Sequence, residues 1–187
     1  MAKIKNDRGK TEKTVNILII HHYTMKNLGD WMILEGMINT MKNLADSYGI
    51  TTNFIVLSLT PKYDQQLIKE ANFVFSIPPP VFSNKKSYFF SLAFMLISLV
   101  WALSLRFFKI DLSFLFPKKY AEALRAYSNA DIVVCRATDA AFCPEVFGYI
   151  PTIKAFYQTI LAYLLRKDVM IYAQTILPIS RGLLGFF

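Results

Sequence analysis

A mostly apolar run, Val15-Asn16-Ile17-Leu18-Ile19-Ile20, leads through the polar turn Asn27-Leu28-Gly29-Asp30 into a segment with helical spacing. This succession limits the fold more than any other feature of the chain. With His21 added, the run reads as a first strand, Val15 to His21. The following segment sets Leu34, Met37, Ile38 and Met41 on one helical face. A strand that turns at a glycine into a helix gathers backbone N–H groups and the positive helix end at one point, which suits an anion such as phosphate or carboxylate. Asn27, with Asp30 three residues on, is placed to cap the helix start.

The pattern repeats along the chain. Thr52 to Leu59 reads as a second strand, and Thr60-Pro61 as a helix start with a capping hydroxyl before a first-turn proline. That helix is expected to run to about Ala71. Phe73 to Ile77 reads as a third strand, ended by Pro78-Pro79-Pro80. Pro117 opens a helix to about Asn129, and Ala130 to Cys135 is a fourth strand. Pro151 starts a helix with Ile153, Phe156, Tyr157, Ile160 and Leu164 on one face, and Val169 to Ala173 is a fifth strand. Strands alternating with helices imply an α/β fold, a Rossmann-like parallel sheet flanked by helices with right-handed crossovers. A basic, disordered tail is expected over residues 1–13, and the Rossmann-like domain over 14–187.

Tyr88–Leu105 interrupts the alternation with roughly 18 residues free of charge, at the lower limit for a bilayer span. Lys85 and Lys86 flank one end, Arg106 and Lys109 the other, so the flanks give no orientation. The strands before and after belong to one sheet, and a single span would divide that sheet across a bilayer. The expectation is therefore an apolar helix, extending to about residue 108, that packs along the outside of the domain and makes peripheral membrane contact through Tyr88–Leu105. The chain is expected to be cytoplasmic, at the inner face of the membrane where that contact forms.

Composition narrows the partners. The 187 residues carry a formal net charge of +8, with 54% hydrophobic and 15% aromatic residues. The basic residues are dispersed among acids and form no aromatic-interleaved run, which argues against nucleic acid. An anionic substrate or an anionic membrane surface accounts for the balance. Cys135 and Cys143 are too few and too spaced for a disulfide scaffold or a C-x-x-C motif, and read as reduced structural thiols. His21 and His22 are adjacent, so in a strand they face opposite ways and cannot share a metal. They read as satisfied histidines near the sheet end, and neither a metal nor another cofactor is expected.

In a parallel sheet, ligands collect at the carboxyl ends of the strands. Those ends carry His21 to Asp30, Arg136 to Asp139, and Gln174 to Pro178. The three clusters should converge. Asp30 and Asp139 are the acids placed there, and are the candidates for proton transfer. Arg136 is a candidate partner for a carboxylate or phosphate, with a surface ion pair to Asp139 as the plainer alternative. Asn27 and Gly29 either shape an anion-binding turn or simply make the turn. Gln174 and Thr175 either contact substrate or are ordinary loop polarity.

These clusters, in this order, resemble the polysaccharide pyruvyl transferase family. The first matches as Tyr23-x-x-x-Asn27-x-Gly29-Asp30. The second is Ala130-Asp131-Ile-Val-Val, then Arg136-Ala137-Thr138-Asp139 where some members have Arg-Gly-Gly-Asp, and Phe147-Gly148. The third is Ile171-Tyr172-Ala173-Gln174-Thr175-Ile176-x-Pro178. The resemblance covers about residues 15–187. It implies transfer of pyruvyl from phosphoenolpyruvate to two hydroxyls of a sugar acceptor in a cell-surface polysaccharide or its lipid-linked precursor. It also implies a two-domain GT-B-like architecture of which this chain is the N-terminal half. On that reading the chain stops before a second domain or a second chain and is inactive in isolation. The alternative is a non-catalytic remnant that binds a partner or membrane through the Tyr88–Leu105 helix.

Overall fold

The structure, a computed structural model, describes residues 13–22, 25–26, 28–78, 85–136 and 149–172. Five strands lie in one sheet: β1 (Lys13–Ile20), β2 (Ile50–Ser58), β3 (Ala71–Phe75), β4 (Ile132–Cys135) and β5 (Asp168–Ile171). All pairings are parallel and the order is β3-β2-β1-β4-β5. The helices are α1 (Leu28–Ser47), α2 (Pro61–Leu67), α3 (Lys85–Phe108), α4 (Lys118–Asn129) and α5 (Tyr149–Leu164), with a 3₁₀ turn at Ser113–Leu115. This is an α/β Rossmann-like sheet flanked by helices. Chain order reverses between β1 and β4, which places the ligand-binding crevice of such sheets at their carboxyl ends.

The two faces of β1 seed two cores, because successive side chains point to opposite sides. Ile17 and Ile19 pack with Leu34, Met37 and Ile38 of α1 and with Phe54, Val56 and Ile68. Leu18 and Ile20 pack with Phe94, Trp101 and Ala102 of α3, with Tyr120, Leu124 and Tyr127 of α4, and with Tyr157 and Leu161 of α5. β1 is apolar almost throughout because helices cover it on both sides. Gly49 closes the turn from α1 to β2 at φ +67°, the left-handed region where a side chain is strained.

Several boundaries differ from the sequence expectation. α2 stops at Leu67, and β3 begins at Ala71. Thr60 stands at the N-cap position of α2, but its side chain makes no capping bond and turns to Asp64 instead. β5 covers Asp168–Ile171 and is exposed on the described surface. α5 buries Tyr157, Gln158, Leu161 and Ala162, while Ile153 and Ile160, expected on its inner face, are exposed. That helix is apolar nearly all round, so its spacing did not single out one face. Lys13 of the expected tail opens β1, and the rest of the tail lies outside the described residues.

α3 lies along the outside of the domain, as expected. Ser91, Phe94, Ser98, Trp101 and Ala102 form its buried stripe. The Ser98 and Tyr157 hydroxyls share a 2.6 Å hydrogen bond, and Trp101 Nε1 donates to Asp111 Oδ1 at 2.8 Å. Next to this stripe the Tyr127 hydroxyl is fully buried and finds no hydrogen-bond partner among the described residues. Burial, reinforced by Tyr157 and Cys135, holds its pKa well above the ordinary tyrosine value. A buried donor without a partner forfeits its hydration, so Tyr127→Phe is expected to be neutral or to stabilise by about 1 kcal/mol in urea unfolding. A loss of similar size would reveal a partner for the hydroxyl.

Candidate functional site

The site lies where β1 and β4 end side by side. β1 stops at Ile20, one residue earlier than the sequence suggests, and His21 leaves the strand at φ +66°. The His21 N–H donates to Gln158 Oε1 of α5 at 3.3 Å. The two histidines therefore do not alternate as strand residues. Both are buried. His22 is directed toward α2, where its Nε2 lies 3.2 Å from Asp64 Oδ2.

Asp64 is fully buried in the first turn of α2, where the helix dipole favours a negative charge. Its carboxylate is an acceptor for several surrounding groups. Met25 N–H donates at 3.1 Å and Thr60 Oγ1 at 3.2 Å to Oδ1. Ser58 Oγ donates to Oδ2, the oxygen that also meets His22. Burial pushes the carboxyl pKa up, but the hydrogen bonds from His22, Ser58 and Met25 outweigh it and hold the group below the usual carboxylate value.

Arg136 completes the array from the end of β4. Its N–H donates to Ile20 O at 3.1 Å, which fixes it beside the end of β1. Nη1 donates to His22 Nδ1 at 3.1 Å. Nη2 donates to Asp30 O at 2.9 Å and to Asp30 Oδ1 at 2.6 Å. The Arg136 contact settles the histidine tautomer. A guanidinium has only donors, so Nδ1 accepts, the ring proton sits on Nε2, and Nε2–H donates to Asp64. The result is a continuous chain, Asp64–His22–Arg136–Asp30, drawn from the first turn of α2, the residues just after β1 and β4, and the start of α1.

Burial falls along this chain. The Arg136 side chain is 1% exposed and that of Asp30 is 39% exposed. Asp30 is therefore the member that reaches solvent, with one carboxylate oxygen and its own carbonyl held by Arg136. Arg136 differs from the expectation. It is buried and not on the surface, its Nη atoms face His22 and Asp30, and the pairing with Asp139 falls outside the described residues. Gly29 and Asp30 also lie inside the first turn of α1, which starts at Leu28, and not in a separate turn before it.

The structure thus brings Asp30 and Arg136 into direct contact, and Gly29, exposed, is the residue before Asp30. Asn27, Asp139, Gln174 and Thr175 lie outside the described residues. The sequence reading took Asp30 and Asp139 as the only acids at the strand ends. Asp64 is a third, overlooked because it falls a turn inside α2. The signal is Ser58-x-Thr60-Pro61-x-x-Asp64, two hydroxyls and a carboxylate around the end of a strand, of which the helix-start pattern uses only Thr60 and Pro61. Among the described residues no group of three His, Cys, Asp or Glu side chains is placed to hold a metal. Cys135 is buried, and burial raises its thiol pKa although Thr159 opposes the shift, so it is poorly suited to nucleophilic chemistry. No protein-family profile, curated protein or solved structure matches this chain.

Proposed function

We infer that this domain belongs to a transferase of the pyruvyl transferase type, moving a pyruvyl group from phosphoenolpyruvate to a sugar of a cell-surface polysaccharide or its lipid-linked precursor. The observation that supports this most is the Asp30–Arg136 ion pair at the crevice between β1 and β4, with Asp30 open to solvent. These two residues come from two separate motifs of the resemblance. The domain would form one wall of a GT-B-like cleft.

The reaction defines the roles. The enol carbon of phosphoenolpyruvate takes a proton, and the adjacent carbon accepts one sugar hydroxyl and then a second as phosphate departs. Of the two hydroxyl protons, one balances the proton gained by the methyl carbon and the other leaves with phosphate. A carboxylate at the acceptor hydroxyl serves this step as base or orienting group. Asp30 fills that role here. Arg136 positions it, because its Nη2 donates to both the Asp30 carbonyl and the Asp30 carboxylate and so fixes the side chain to the start of α1. His22 and Asp64 hold Arg136 from behind. Asp139 is the candidate acid, and Asn27, Gly29, Gln174 and Thr175 are the candidate substrate contacts.

The test is phosphate release from phosphoenolpyruvate with an oligosaccharide acceptor, using the whole gene product. Asp30→Asn is expected to lower the rate by about 100-fold or more with unchanged urea stability. Unaltered turnover by this variant, or no acceptor-dependent release by the parent protein, would overturn the assignment. The alternative, a non-catalytic binding module, is favoured by one separate observation, the uncovered face of α3.

A further inference from the structure

α3 is apolar on two opposite sides, and the described residues of the domain cover only one of them. Phe89, Leu92, Leu96, Val100, Leu103 and Phe107 recur at i, i+3, i+7, i+11, i+14 and i+18, which makes them a single stripe. All six are exposed, Phe89 at 75% and Val100 at 60%. The opposite stripe, from Ser91 to Ala102, is the one packed into the core. Only 28% of the most apolar 18-residue window within Tyr88–Phe108 is buried. A contiguous apolar face of this length on a soluble surface marks a contact site.

What covers the face is indicated at its C-terminal end. There a cavity of about 350 Å³ is lined by Leu105, Arg106 and Lys109 of the α3 end, Asn129 of the α4 end, and Arg166 and Lys167 of the turn after α5. Four cations line it and no carboxylate does. Arg106 Cζ sits 5.3 Å from the centre of the exposed Phe107 ring, so cation and apolar tip form one surface. Lys167 Nζ donates to Ser128 O at 2.7 Å, and Asp131 acts on it from nearby, but Asp131 Oδ2 also accepts from Asn16 N–H. Lys167 immediately precedes β5 and Asn129 lies three residues before the start of β4, which puts the cavity at the amino edge of the sheet, away from the Asp30–Arg136 site.

We propose that this domain docks peripherally on an anionic bilayer, with the Phe89–Phe107 stripe of α3 in the interfacial region and the Arg106–Lys109–Arg166–Lys167 cavity receiving a phosphate-bearing lipid headgroup. An apolar stripe that ends in a cationic pocket matches the boundary between acyl chains and anionic headgroups. A membrane span does not fit, because Ser91, Phe94, Ser98, Trp101 and Ala102 would have to leave the core and break the Ser98–Tyr157 and Trp101–Asp111 bonds. A second copy on the same face brings four more cations and no acid in the cavity lining to meet them. The proposal stands apart from the transferase reading, although a bilayer is also where a lipid-linked acceptor resides.

The experiment is flotation of the full chain with phosphatidylcholine vesicles and with vesicles also containing phosphatidylglycerol. Binding is expected to the anionic vesicles, at least tenfold weaker to the neutral ones, and reversed by high salt or carbonate. Leu96→Glu with Val100→Glu, both on the exposed stripe, should abolish it. Lys109→Gln with Arg166→Gln should weaken it about tenfold or more, each cation near the surface contributing roughly fivefold. Inorganic phosphate at millimolar concentration should not displace the chain if the stripe and headgroup act together. Circular dichroism of each variant checks the fold, and the two variant pairs fail independently. Equal binding to both vesicle types, or full displacement by phosphate, would overturn the headgroup assignment. Resistance to carbonate would replace docking with a span. Absence of vesicle binding, with or without a dimer in sedimentation, would overturn the proposal altogether.

Discussion

Asp64→Ala is expected to lower stability by about 3–5 kcal/mol, the usual cost of removing one partner from a buried charged network. The carboxylate is the acceptor for His22 Nε2, Met25 N–H, Ser58 Oγ and Thr60 Oγ1. Its loss removes the acceptor of buried donors from β2 and the β1–α1 connection. Asp64→Asn should cost nearly as much, because the amide turns a donor toward groups that are themselves donors. The same carboxylate sets an acid limit. Its folded pKa lies below the unfolded value, so the unfolded chain binds more protons in the window between the two. Stability from Asp64 is present above the unfolded value, about 4, and is lost as pH falls through the folded one. Urea titrations near neutrality and at acid pH check both statements, and the variants should lose this part of the acid sensitivity. A shift under about 1 kcal/mol would remove Asp64 from its place as anchor of the array.

Trp101→Ala is expected to cost about 3–5 kcal/mol, because an indole of this size leaves a cavity that its neighbours fill only in part. Trp101 is 1% exposed on the inner side of α3, and its Nε1 donates to Asp111, which also accepts from Ser113 N–H and Oγ. Truncation therefore removes the contact that ties α3 to the connection leading into α4. Val100→Ala, one residue earlier and 60% exposed, should stay within about 0.5 kcal/mol. Two adjacent residues in one apolar helix thus separate the face that holds the fold from the face that is left open. Urea midpoints of the two variants, measured side by side, decide the matter. Equal effects would mean that α3 is turned about its axis relative to this description.

The strand–helix alternation was legible because each element carries its own period. The β1 run is apolar because two cores meet on it, and Leu34, Met37 and Ile38 recur at helical spacing because only one side of α1 is covered. The closeness of Asp30 to Arg136 was legible for a topological reason. Residues directly after parallel strands share one edge, so Asp30 and Arg136 were expected near each other. Their bond at 2.6 Å is a contact between residues 106 positions apart in sequence. The α5 face was not legible, since a helix apolar on nearly all sides offers no period to read. Asp64 was missed for a different reason. A carboxylate in a first helical turn has a local explanation in the dipole, and nothing local indicates that it also accepts bonds from His22 and Met25.

The amino-acid sequence by itself determined the class of this domain, the order of its elements, the edge of the sheet where polar residues gather, and the presence of an apolar segment too long for an ordinary core helix. All of these follow from local periodicity and from connection rules that act on neighbours in the chain. The tertiary structure alone decided that Arg136 is buried, that His22 is its acceptor and Asp64 the anchor behind, and that α3 leaves one apolar stripe uncovered beside a cationic cavity. Each of these depends on which distant side chain occupies the space next to a group. In a close-packed interior that neighbour sets burial, protonation and direction, and no local pattern encodes it.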